Sequence, residues 1–115
     1  MEIRKIVHQL KALADEGRMT LFLILWRREC CVCELMNIME WEQSRVSHQL
    51  KLLRFAELVE NRREGKWMIY FIPEEVRRDE LVSVITEKVK LPADIERRIE
   101  MVKETNVREC VGSTL

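Results

Sequence analysis

A chain of 115 residues fits one folding unit, long enough to bury a modest core and short enough to gain from a partner subunit. Its longest wholly apolar run is only Leu21 to Trp26 and its first residues are charged, so neither a secretory h-region nor a membrane span is expected, and a soluble cytoplasmic protein is. Twenty basic residues balance twenty acidic ones, and without a secretory signal the four cysteines read as reduced thiols that bind metal or sense redox state.

Ile3, Ile6, Val7, Leu10 and Leu13 recur at helical spacing and predict an amphipathic first helix over residues 2–14. Asp15 can cap a second helix running to about Arg28 by accepting from first-turn amides. Met19, Leu21, Phe22, Leu23, Ile24, Leu25 and Trp26 make that helix apolar nearly all round, the expected centre of the core. A short third helix fits Val32 to Met39, with Leu35, Ile38 and Met39 facing inward. After a turn at about Glu40 to Glu42, residues Gln43 to Ala56 predict a fourth helix. Val46, Leu50 and Leu53 form its dry stripe, while Ser44, His48 and Lys51 lie opposite, flanked by Arg45 and Ser47.

Two stretches rich in strand formers follow, Leu58 to Arg62 and Trp67 to Ile72, separated by Arg63-Glu64-Gly65-Lys66. They predict a β-hairpin with a charged tip. Pro73 ends it, Asp79 to Leu91 predict a helix with an apolar face of Leu81, Val82, Val84, Ile85 and Val89, and Pro92 opens a last helix carrying Ile95, Ile99 and Val102. Residues 1–104 thus read as one domain and 105–115 as a loose tail.

Helix, short turn, helix and hairpin is the winged helix-turn-helix order, a mainly α fold with a small β-hairpin. Charge is distributed to match: Gln43 to Trp67 holds six basic residues against three acidic, a local +3 in a neutral chain. Ser44 and Ser47 allow close approach to DNA, Arg45 and His48 can donate to base edges, and Lys51 and Arg54 can neutralise phosphates.

Four segments, in order, resemble the ArsR/SmtB family of metal-responsive repressors. They are Lys11-Ala12-Leu13-Ala14-Asp15-Glu16-Gly17-Arg18, Glu29-Cys30-Cys31-Val32-Cys33-Glu34-Leu35, Gln43-Ser44-Arg45-Val46-Ser47-His48-Gln49-Leu50-Lys51-Leu52-Leu53 and Arg62-Arg63-Glu64-Gly65-Lys66-Trp67. The resemblance implies a homodimer formed by the first and late helices, and double-stranded DNA with an imperfect inverted repeat as partner. It implies a recognition helix carrying Gln43, Ser44, Arg45, Ser47, His48, Gln49 and Lys51, and a wing carrying Arg62, Arg63 and Lys66. Two departures stand out: Glu42 replaces the usual Ser or Thr cap before the recognition helix, and Gly17 a commonly bulkier residue.

Cys31-Val32-Cys33 corresponds to the paired cysteines of the family's arsenic-sensing branch, whose third thiol position is here Met36, so Cys30 is the nearest substitute. On a continuous helix Cys30 and Cys33 would lie about 60° apart and Cys31 and Cys33 about 160° apart, so one ion on all three requires the helix start to unwind. Soft thiolates favour trivalent arsenic or antimony as effector, with cadmium, lead or zinc less favoured because no four-ligand shell is evident. Residues 74–115 contain no histidine, which argues against a zinc site on the late helices, and Cys110 reads as incidental. Cys30 and Cys33 also form a C-x-x-C pair, which leaves a thiol-redox regulator as the alternative. A thiol oxidoreductase would need that motif after a strand in a βαβ unit, and no catalytic constellation is present, so an enzyme is not expected.

Overall fold

The computed structural model describes residues 2–104, with side chains up to Val102; the predicted tail and Cys110 lie outside the described residues. α1 (Ile3–Leu13) leads to α2 (Glu16–Arg27), which begins where the Asp15 carboxylate accepts from the Arg18 amide at 3.0 Å. α2 buries Leu21, Phe22, Leu23, Ile24 and Leu25 and is the centre of the core, as its all-round apolarity predicts. Against it pack Leu35 and Ile38 of α3 (Val32–Met39) and Val46, Leu50 and Leu53 of α4 (Gln43–Phe55). Met39, expected inside, is only half-buried. Glu40 ends α3 with a left-handed φ of 58°.

The sequence reading missed a strand. β1 (Cys30–Cys31) pairs antiparallel with β3 (Trp67–Phe71), whose other edge pairs with β2 (Glu60–Glu64), giving a three-stranded sheet in the order β1-β3-β2. At two residues β1 is too short to show a period in sequence. The wing also differs in register. Leu58 and Val59, predicted as strand, are fully buried before pairing begins at Glu60. Pairing continues to Glu64 opposite Trp67, which shrinks the four-residue tip to Gly65 and Lys66. Gly65 has φ 64°, the left-handed first position that a two-residue hairpin turn requires.

The helix predicted over 79–91 is present but ends at Lys88, and a turn of helix that the sequence did not announce precedes it. A four-residue α5 (Glu74–Arg77) comes first, and α6 (Glu80–Lys88) begins where the Asp79 carboxylate accepts from the amides of Leu81 and Val82. α6 buries only Val82, leaving Leu81 and Val84 exposed. α7 (Ala93–Glu104) packs along α3 and buries Ile95, Ile99 and Val102. Arg98 donates from Nε to the Ile38 carbonyl at 2.6 Å, occupying an acceptor that the end of α3 would otherwise leave open. No described helix is long and apolar enough to cross a membrane.

Candidate functional site

α4 presents the polar face its sequence predicts: Gln43, Ser44, Arg45, His48 and Lys51 are exposed, and Ser47 is half-buried. Its start has no side-chain cap from Glu42, in keeping with the weak cap read from sequence, so first-turn amides remain available to an anion. Arg45 lies over the Trp41 ring at 4.0 Å, which fixes the guanidinium beside the turn that precedes the helix. Gln49 is placed differently from the others. Its Oε1 accepts from Arg18 Nη1 at 2.9 Å, tying α4 to α2.

On the wing, Arg62, Arg63 and Lys66 are all exposed. Lys66 sits over the Trp67 ring at 5.3 Å and Arg63 donates to the Gly65 carbonyl at 3.4 Å. Arg62 is held more firmly. Its Nε donates to Glu64 at 2.8 Å and its Nη2 to Glu29 at 2.5 Å, and these two carboxylates raise its pKa further above its already high value.

The cysteines do not lie on one helix. Cys30 and Cys31 form β1, Cys31 is the residue before α3, and Cys33 sits in the first turn of that helix. Strand alternation therefore replaces helical angles as the relevant geometry, and it sends Cys30 and Cys31 to opposite faces of the sheet. Cys30 packs into the main core near Tyr70 and its thiol faces the Arg28 carbonyl at 3.7 Å. Cys31 and Cys33 share a separate small cluster with Ile69, covered by Trp67. All three are thiols rather than disulfides and are 0%, 1% and 3% exposed. Among the described residues no group of three or more His, Cys, Asp or Glu side chains converges on one point, so Cys30 does not join the pair in this arrangement.

Glu34 organises the junction. With its side chain 5% exposed, its Oε1 accepts from the Cys31 amide at 2.9 Å and its Oε2 from Arg28 Nη2 at 2.6 Å. The spacing of Glu34 three residues after Cys31 is the capping-box signal that sequence alone offered for this contact. Asn37 adds a hydrogen bond to the Cys33 carbonyl at 3.0 Å. Burial pushes the Cys31 thiol above its ordinary value. The Glu34 carboxylate adds to that rise, and the Glu34 and Cys33 amides oppose it. The indole Nε1–H of Trp67 is buried without a partner, an orphaned donor in the residue that covers the two sulfurs.

A helix-turn-helix with an exposed polar second helix, followed by a basic two-stranded wing, defines a winged helix-turn-helix protein. Residues 15–61 match the profile described as "Bacterial regulatory protein, arsR family". Over 74 residues the chain is 38% identical to the arsenical resistance operon repressor of Bacillus subtilis, covering 64% of this chain and 70% of that one. Over 59 residues it is 48% identical to a transcriptional repressor SmtB homolog of Synechocystis, covering 51% of this chain and 45% of the relative, so less than half of that protein is represented. Among solved structures it resembles the homodimeric winged helix-turn-helix DNA-binding domain of Mb0332 from Mycobacterium bovis. There the TM-score is 0.67, with 28% identity over 74% of this chain and 78% of that one. The chain belongs to the ArsR family. Fold and family are those of transcriptional regulators, not enzymes.

Proposed function

We propose that the protein is a homodimeric repressor that binds an imperfect inverted repeat in double-stranded DNA and releases it when a thiophilic ion binds at the cysteine segment. The observation that carries this reading is the pairing of Cys31 and Cys33 in one dry cluster beneath the wing strand, at the start of the helix that precedes the recognition helix. Arg45 and His48 read bases, Gln43, Ser44 and Ser47 line the same approach, and Lys51, Arg63 and Lys66 meet phosphates. Similarity to an arsenical resistance operon repressor supports a metalloid effector. The homodimer is supported by the Mycobacterium bovis domain and by apolar side chains left exposed on α1 (Ile3, Val7, Leu10) and α6 (Leu81, Val84).

Trivalent arsenic or antimony suits the pair better than a divalent cation. The pair offers two sulfurs where a divalent cation such as zinc favours four ligands. Trihydroxyarsenic brings its own proton acceptors. Cys31 and Cys33 each form one As–S bond, each thiol proton leaves as water with a hydroxide from arsenic, the third hydroxide remains, and nothing is oxidised. Cadmium, lead and zinc would seek further thiolates. Cys30 reaches the same ion only if β1 leaves the sheet, because its side chain is on the opposite face.

The test is an operator gel shift titrated with arsenite, antimonite, cadmium and an oxidant. Typical coupling lowers operator affinity by about 5- to 150-fold. Arsenite should release wild type and leave the Cys31→Ser, Cys33→Ser double variant bound. Release of that variant by arsenite would overturn the reading, and release of wild type by oxidant alone would favour thiol-redox control.

A further inference from the structure

The cysteine segment is physically part of the wing. Opposite residues in an antiparallel sheet share a face, and alternate residues along a strand return to it. Cys31 stands opposite Ile69, and Ile69 stands opposite Arg62 on its other side. One face of the sheet therefore carries Cys31 on β1, Ile69 and Trp67 on β3, and Arg62 and Glu64 on β2. The side-chain contacts agree: Trp67 and Ile69 cover the two sulfurs, and Arg62 lies over the Phe71 ring at 5.2 Å.

An ion pair crosses this face. Arg62 donates from Nη2 to Glu29 Oε1, joining the wing's outer strand to the residue two positions before Cys31. Glu64 takes Nε and also shares Nη2, which leaves Nη1 with no partner among the described residues and available to a phosphate. We propose that this Glu29–Arg62 pair transmits ion occupancy of Cys31 and Cys33 to DNA, with Glu29 a positioning residue for the wing arginine. The inference rests on the ion-release reading above and assigns its route.

The two ends of the thiol pair differ in how firmly they are held. Cys33 belongs to α3, whose Leu35 and Ile38 are fully buried and whose Ile38 carbonyl is held by Arg98. Cys31 belongs to a strand with only two paired residues. When both sulfurs close on one ion, β1 gives way before α3 does. A shift of β1 carries Glu29 with it, breaks the contact to Arg62 and removes the phosphate donor from its place, while α4 keeps its packing in the main core.

The test compares wild type with Glu29→Gln, an exposed substitution that keeps size and removes charge. Arsenite binding to the DNA-free dimer, followed by tryptophan fluorescence, should stay within twofold of wild type. The logarithm of the arsenite-induced loss in operator affinity should fall by more than half. In wild type arsenite should also reduce the slope of log affinity against log salt by about one phosphate contact, a change absent in Glu29→Gln. Retention of half or more of the logarithmic coupling, or of the slope change, in Glu29→Gln overturns the wing route while leaving ion release intact. Failure of arsenite to release wild type overturns the underlying reading and this inference with it.

Discussion

The indole of Trp41 lies across Gly17 so closely that a β-carbon at Gly17 would sit 2.7 Å from its Cη2 atom and 3.1 Å from Cζ2. Trp41 belongs to the turn between α3 and α4, and Arg45 lies over its ring in cation–π contact. The missing side chain at position 17 thus sets where the turn, and with it the Arg45 guanidinium, comes to rest.

Gly17→Ala tests that relationship. Alanine is the better helix former by about 1 kcal/mol, whereas overpacking costs about 1 to 3 kcal/mol, so a small net loss of stability is expected. Trp41 must shift, and the tryptophan emission maximum should move. Operator affinity should fall more than stability does, because Arg45 loses its support. An unchanged spectrum with unchanged DNA binding would show that the indole finds equivalent room.

The recognition helix should divide into readers and a tie. Arg45→Ala and His48→Ala should change which operator bases are preferred, each by about 1 to 3 kcal/mol of discrimination. Gln49→Ala should leave base preference unchanged and lower thermal stability, since its amide serves Arg18 rather than solvent. A binding-site selection experiment on the three variants, with melting curves, separates the two roles.

Ionisation of Cys31 gives a pH signature. A thiol whose folded pKa is raised by burial stays protonated in the native state while the unfolded chain ionises, so its contribution is present below the ordinary value of 9.0 and is lost as pH rises above it. Native stability should therefore decline above that pH, and less so in Cys31→Ser. Alkylation of Cys31 by iodoacetamide at neutral pH should be slower than that of an unfolded control. Rapid native labelling would show that the thiol is not kept protonated in its cluster.

Dimer formation can be probed on α1, where Ile3 is 81% and Leu10 46% exposed. Leu10→Arg should shift reduced, metal-free protein from dimer to monomer in sedimentation and abolish high-affinity operator binding, with little change in the helical circular dichroism signal. A stable Leu10→Arg dimer would place the interface elsewhere.

Sequence patterning captured the elements that bury a periodic stripe. The Asp15 cap, the apolar α2, the limits of α3 and the two faces of α4 all follow from residues next to one another in the chain. It missed β1, because a two-residue strand has no period and its strand partners, Tyr70 and Ile69, lie about 40 residues away. That omission distorted the cysteine reading. Helical angles made Cys30 and Cys33 the near pair, whereas strand alternation brings Cys31 to Cys33 and sends Cys30 into the core. The bonds of Arg62 to Glu29 and Gln49 to Arg18 were equally out of reach, each joining residues more than 30 positions apart with no local cue.

Arg98 and the carbonyl it holds at Ile38 stand 60 residues apart. α3 is synthesised well before α7, so until α7 docks its final turn is unclamped and its α7-facing side uncovered. A chain lacking α7 would keep the polar face of α4 but lose the brace that steadies the helix before it.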